Sequence, residues 1–179
     1  MDDFVSDIEA IRRRAREHME RGAVTGSYKL DPERVVAVLN EALATELVCV
    51  LRYKRHYFVA AGINAESVKA EFLQHAAEEL QHADWIAERI NQLGGEPNFD
   101  PEGLAGRSHS EYVEGTDLVS MIRENLVAER IAIDSYAEMI AYVADKDPTT
   151  RRMLEGILAM EEEHAEDLAS LLQTLDTDK

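Results

Sequence analysis

Residues 158 to 172 read LAMEEEHAEDLASLL, and helical spacing turns Glu161 and His164 toward the side where Leu168 and Leu171 point. Carboxylates and imidazoles are costly to bury unless something offsets their lost hydration. A chain with this stretch must fold so that a compensating partner reaches the buried acid. That demand narrows the folds open to it more than its overall composition does.

The surrounding pattern is helical throughout. Ala, Leu and Glu are abundant, with only four Pro and nine Gly in 179 residues. Residues 3 to 21 place Phe4, Ile8, Ile11, Ala15 and Met19 at helical spacing, which predicts an N-terminal helix. After GAVTGSY, Asp31 as N-cap and Pro32 at the first position start a long helix that runs to about Ala61. A second long helix is expected from near Ala65 to Leu93. A polar connection follows over about 95 to 115, then a helix from roughly Thr116 to Ala144. Asp147 and Pro148 open the last helix, which ends near Leu175. Two tight turns and one long link describe an all-α four-helix bundle with one long crossover. The expected division is a helical extension over 1–30 and a bundle over 31–179.

Stepping three and four residues gives each long helix its interior stripe. The stripes are Val35, Leu39, Ala42, Glu46, Cys49, Tyr53; Val68, Phe72, His75, Glu79, His82, Ile86; Leu118, Ile122, Asn125, Glu129, Ala132, Tyr136; and Leu154, Ile157, Glu161, His164, Leu168. Each is apolar at its ends and carries Glu near its middle, and two add His three residues later. One such Glu is usually a marginal position or half of a buried ion pair. Four at one height are different. Glu46 and Glu79 are equidistant from the first turn, and Glu129 and Glu161 from the second, so all four carboxylates share one layer of the core. Arg and Lys are absent from that layer, so protein cations cannot balance it. Metal cations are the remaining way to balance it. Four carboxylates and two imidazoles suit two divalent ions such as iron or manganese, and the i, i+3 spacing lets Glu and His of one helix reach the same pair.

The motifs NEALATELVCVLRY, EELQHADWIAERINQLGGEPN, ENLVAERIAIDSY and LAMEEEHAEDL resemble those of ferritin-like proteins, nearest to bacterioferritin, over roughly residues 34 to 174. The resemblance implies a di-iron site with Glu46, Glu79, His82, Glu129, Glu161 and His164 as ligands, Glu79 and Glu161 bridging, and manganese or zinc as substitutes. Tyr53 matches the tyrosine that family keeps beside its centre. Leu80 stands where bacterioferritins place a haem-binding methionine, so no haem is expected. The chain also stops at LLQTLDTDK, with no fifth C-terminal helix expected. With the extra N-terminal helix, this is similar to Dps-like proteins that carry a bacterioferritin-type centre and form twelve-subunit shells.

The function implied by the resemblance is that of a ferroxidase. Fe(II) is oxidised by hydrogen peroxide or dioxygen, and ferric mineral is stored in a hollow shell of identical subunits, giving protection against oxidative stress. Two rivals stand beside it: a di-metal enzyme without storage, such as a manganese catalase or rubrerythrin-like peroxidase, and a DNA-compacting protein. The formal net charge of −17 disfavours nucleic acid. The arginines at 12, 13, 14, 16 and 21 are the one candidate contact, and over residues 1–30 six basic residues meet six acidic ones. No run is long and apolar enough for a membrane span, no signal peptide is evident and Cys49 is the single cysteine, so a cytoplasmic protein is expected. Cys49 reads as a small buried residue, with a redox role as the alternative. His75 reads as a hydrogen-bonded core histidine, with accessory ligation as the alternative, and Trp85 and Met121 read as packing. Asp100, Glu102 and His109 are candidates for pore acids and ligands.

Overall fold

The computed structural model describes residues 7–177. Its helices are α1 (Ile8–Arg14), α2 (Pro32–Val59), α3 (Ala65–Gln92), α4 (Leu104–Arg107), α5 (Leu118–Val143) and α6 (Pro148–Thr177). The start signals act as their chemistry dictates. Asp31 accepts from the Glu33 amide at 3.1 Å, and Asp147 from the Thr150 amide at 2.9 Å. Asp117 and Ser120 close a reciprocal capping box that begins α5.

α2 packs on α3 and α5 on α6 as two hairpins, joined through α2–α5 and α3–α6 contacts. The link from α3 to α5 climbs along α2, and polar residues of that helix hold it. Asn40 donates to Glu96 O at 3.2 Å and accepts from the Asn98 amide at 2.7 Å. Higher up, the His109 amide donates to Thr45 Oγ1 at 3.0 Å, and Arg52 donates to Glu111 O at 3.0 Å. Arg55 and His56 both bind Glu114 O, at 2.6 and 2.9 Å. The link therefore starts close against α2: a Cβ on Gly95 would stand 2.5 Å from Val36 Cγ1. The short helix α4 within the link was not expected.

The N-terminal helix differs from its expectation. α1 ends at Arg14, His18 is left-handed at φ 50°, and Met19–Arg21 forms a single 3-10 turn. Ile8, Ile11 and Met19 are exposed, so no packing extends the helix past the length at which isolated helices are marginal. Phe4 lies outside the described residues. The segment joins the bundle further on, through Val24, Tyr28 and Leu30. Here Asp147 is a buried hub: Arg89 Nη2 reaches its two oxygens at 3.0 and 3.1 Å, and Tyr28 donates to it at 2.7 Å. The carboxyl is held below the usual range, because hydrogen bonds from Thr150, Tyr28 and Arg89 outweigh the opposing effect of burial. No helix among the described residues is long and apolar enough to cross a membrane.

Replacing Asp147 with Ala leaves the buried Arg89 guanidinium without its carboxylate partner, bonded only to Thr150 and Gln92, and removes the α6 cap. The substitution should lower unfolding free energy by about 3 kcal/mol, read as a shift in denaturant midpoint at unchanged slope. A midpoint within error of wild type would contradict this role.

Candidate metal centre

Two apolar clusters form the core. One contains Leu39, Ile86, Ile90, Leu154 and Ile157, the other Val68, Phe72, Ile122 and Leu168. Between them lie Glu46 and Glu79, each 1% exposed, Glu129, Glu161 and His82, each 0%, and His164 at 3%. Their donor atoms form two overlapping groups. Glu46, Glu79, His82 and Glu161 make one, and Glu79, Glu129, Glu161 and His164 make the other, with all atoms of a group within 4.8 Å of one another. Glu79 and Glu161 belong to both.

The layer is poor in internal hydrogen bonds. Among the described residues, Glu46 Oε2, Glu79 Oε1, Glu129 Oε2, both Glu161 oxygens and His164 Nδ1 have no hydrogen-bond partner. A single unsatisfied buried group costs about 1–3 kcal/mol, so this many in one place require compensation. His82 Nδ1 stands 3.0, 3.3 and 3.4 Å from Glu161, Glu79 and Glu46, more oxygens than one proton can serve. Hard carboxylate oxygens and borderline imidazoles converging in a closed core are the donor set of a two-metal site.

Protons hold the charge balance when no metal is bound. Burial, with Glu79 and Glu161 nearby, pushes Glu46 and Glu129 well above the carboxylate range. Burial opposes charge on His82, but Glu161, Glu46 and Glu79 push it up to about 12. His164 is likewise carried to about 11 by Glu161 and Glu79, which lie 3.8 and 3.6 Å from Nδ1. Glu79 goes the other way, because contacts with Glu46, His164 and His82 outweigh its burial. Metal binding would displace these protons.

Outside the layer, two tyrosines fix the terminal carboxylates. Tyr53 donates to Glu129 and Tyr136 donates to Glu46. Helical stepping places Tyr136 on the apolar stripe, yet it follows Glu129 by the same seven residues that separate Tyr53 from Glu46. His164 Nε2 bonds Glu78 at 2.8 Å, whereas His82 Nε2 meets the Met160 thioether at 3.3 Å. The two imidazoles are therefore backed differently, one by a carboxylate and one by a weak acceptor.

Arg52 qualifies the expectation of a layer without nearby cations. It is 0% exposed and donates to Asn125 Oδ1 at 2.9 Å and to Cys49 Sγ at 3.4 Å. None of its hydrogen bonds goes to the four carboxylates, because it is spent on joining α2, α5 and the link. Burial pushes the Cys49 thiol up, which keeps it protonated and unreactive. Leu80, in the haem-methionine position, is 47% exposed, and Trp85 is 37% exposed with its ring centroid 5.7 Å from that of His82. Met121 packs in the second apolar cluster. Asp100, Glu102 and His109 do not converge: the first two form a turn held by Arg107, and His109 faces Glu41 and Ser135.

A ferritin-like domain family matches residues 36–177. Among solved structures, the chain is similar to the dodecameric thioferritin of Bacteroides fragilis, a bacterioferritin-related protein, at 36% identity and TM-score 0.80, covering 83% of this chain and 90% of that one. It is 32% identical over 137 residues to a nutrient stress-induced DNA-binding protein of Synechococcus, covering 75% of this chain and 78% of that one. To the bacterioferritin of Desulfovibrio desulfuricans it is 28% identical over 132 residues, covering 73% and 70%. With the bundle, its crossover and the match over most of its length, the chain belongs to the ferritin-like family.

Proposed function

We propose that the chain is a ferroxidase that stores the iron it oxidises in a shell of identical subunits. One observation carries this reading: two four-residue donor sets that share Glu79 and Glu161. Glu46 and His82 would complete one metal position, and Glu129 and His164 the other. When bound, iron supplies one electron per ion, so a pair reduces one peroxide to two waters with uptake of two protons.

The chain's own groups prepare that reaction. Carboxylate oxygens favour the ferric over the ferrous ion, which lowers the barrier to oxidation. Tyr53 and Tyr136 fix the terminal glutamates so that little reorganisation is needed on oxidation. Glu78 orients the His164 ring with Nδ1 toward the centre. The apolar clusters on either side exclude bulk water and confine the chemistry to the layer.

The shell is supported by the Bacteroides fragilis relative, which is itself dodecameric. The acidic balance suits attraction of Fe(II) and nucleation of mineral. A DNA-compacting role gains support from the names of relatives such as the Synechococcus protein, but a net charge of −17 opposes it here.

Replacing Glu79 and Glu161 together with Ala removes both shared ligands. Rapid Fe(II) oxidation, followed by stopped-flow absorbance after peroxide addition, should be lost, and wild-type kinetics in that variant would contradict the assignment. Light scattering should give an assembly about twelve times the 20.1 kDa chain. A dimer has no compartment and would redirect the reading to a di-metal oxidase or catalase without storage.

A further inference from the structure

Beside the two shared donor sets, α3 and α6 carry a third that the proposed reaction does not use. His75 lies one turn before Glu79 and is 0% exposed. Its Nδ1 is 3.2 Å from the Tyr53 hydroxyl, whose own proton goes to Glu129. With Glu129 ionised, as metal binding would leave it, the Tyr53 oxygen accepts from His75 Nδ1–H, and this tautomer leaves a lone pair on Nε2. That nitrogen has no hydrogen-bond partner among the described residues.

Nε2 points to two carboxylates. Glu71, four residues earlier on the same helix face, has Oε2 at 3.9 Å, and Asp167 of α6 has Oδ2 at 3.8 Å. Both distances are too long for hydrogen bonds, so a buried lone pair and two carboxylate oxygens face one another without bonding. The separations suit ligands of one ion. With metal–ligand bonds of about 2.1 Å, tetrahedral neighbours stand about 3.4 Å apart. The three donor atoms lie within 4.8 Å of one another, and a small rotamer change in the half-exposed acids closes the gap.

We propose that Glu71, His75 and Asp167 form a separate single-ion site for a divalent cation, which collects the ion at the protein surface beside the buried centre. Its position gives it that role. The Glu71 and Asp167 side chains are 37% and 47% exposed and meet solvent, while the imidazole reaches inward. The His75 ring stacks on His164 with centroids 4.0 Å apart. Glu78, which bonds His164, also has a donor atom within 4.8 Å of one on His75. An ion held at the surface thus stands one imidazole away from the inner layer. That the natural ion is Fe(II) rests on the proposed function, whereas the existence of the site does not.

The test uses Co²⁺ as the probe and anomalous diffraction from crystals of the full chain, with metal content measured in solution. Wild type should hold about three Co²⁺ per chain, with one peak bounded by Glu71, His75 and Asp167. The E71Q/D167N variant keeps both side chains' shape on exposed positions; it should lose that peak alone and fall to about two ions. Filled inner positions with no outer peak would overturn the proposal, as would an outer peak unchanged in the variant or no metal anywhere. An outer peak with the inner layer empty would leave this site standing and sink the two-metal reading.

Discussion

Six ionisable side chains are buried in one layer of a helical core, and their lost hydration and mutual repulsion have to be offset by protons or by cations lying among them. Neither apolar cluster can supply that offset, nor do the hydrogen bonds of Arg52, which go elsewhere. Without metal, protons take the cations' place: Glu46 and Glu129 retain theirs and both imidazoles are charged. Such a layer is stable enough to assemble and is poised to exchange its protons for divalent ions. The rest of the bundle fixes the height at which the four glutamates meet.

That positioning follows an approximate twofold repeat between the α2–α3 and α5–α6 hairpins. Each contributes one glutamate, one Glu-x-x-His pair and one tyrosine that crosses to the other hairpin's terminal glutamate. The departures from the repeat separate one side of the centre from the other. Glu78 stands behind His164 where Met160 stands behind His82, and His75 stacks on His164 alone among the ligand pair at 4.0 Å. The His164 side is also where the helix surface carries Glu71 and Asp167, so the more polar flank of the centre lies toward these half-exposed acids.

Most of this arrangement was legible in the chain because it rests on local rules. The caps at Asp31 and Asp147 and the turn residues set the long helices to within a few residues. The equal distances of paired glutamates from each turn fixed the layer. What was missed depended on tertiary contacts. The N-terminal periodicity predicted one helix, but its exposed Ile8 and Ile11 find nothing to pack on and it stops at Arg14. Arg52 falls beside the interior stripe by helical stepping and is held in the core by bonds to Asn125 of α5 and to the crossover at Glu111. Tyr136 was hidden in an apolar pattern, although its seven-residue spacing from Glu129 was available. The lone pair on His75 emerges only when Tyr53 and Glu129 are seen to determine its tautomer.

The central claim is that Glu79 and Glu161 are shared between two ions. X-ray absorption fine structure on the chain loaded anaerobically with Fe(II) measures this directly. Shared carboxylates should bring the ions about 3.5–4 Å apart, giving an iron–iron scattering shell at that distance that disappears when both glutamates are replaced by Ala. A spectrum with only oxygen and nitrogen neighbours, and no iron–iron shell at full loading, would contradict the account.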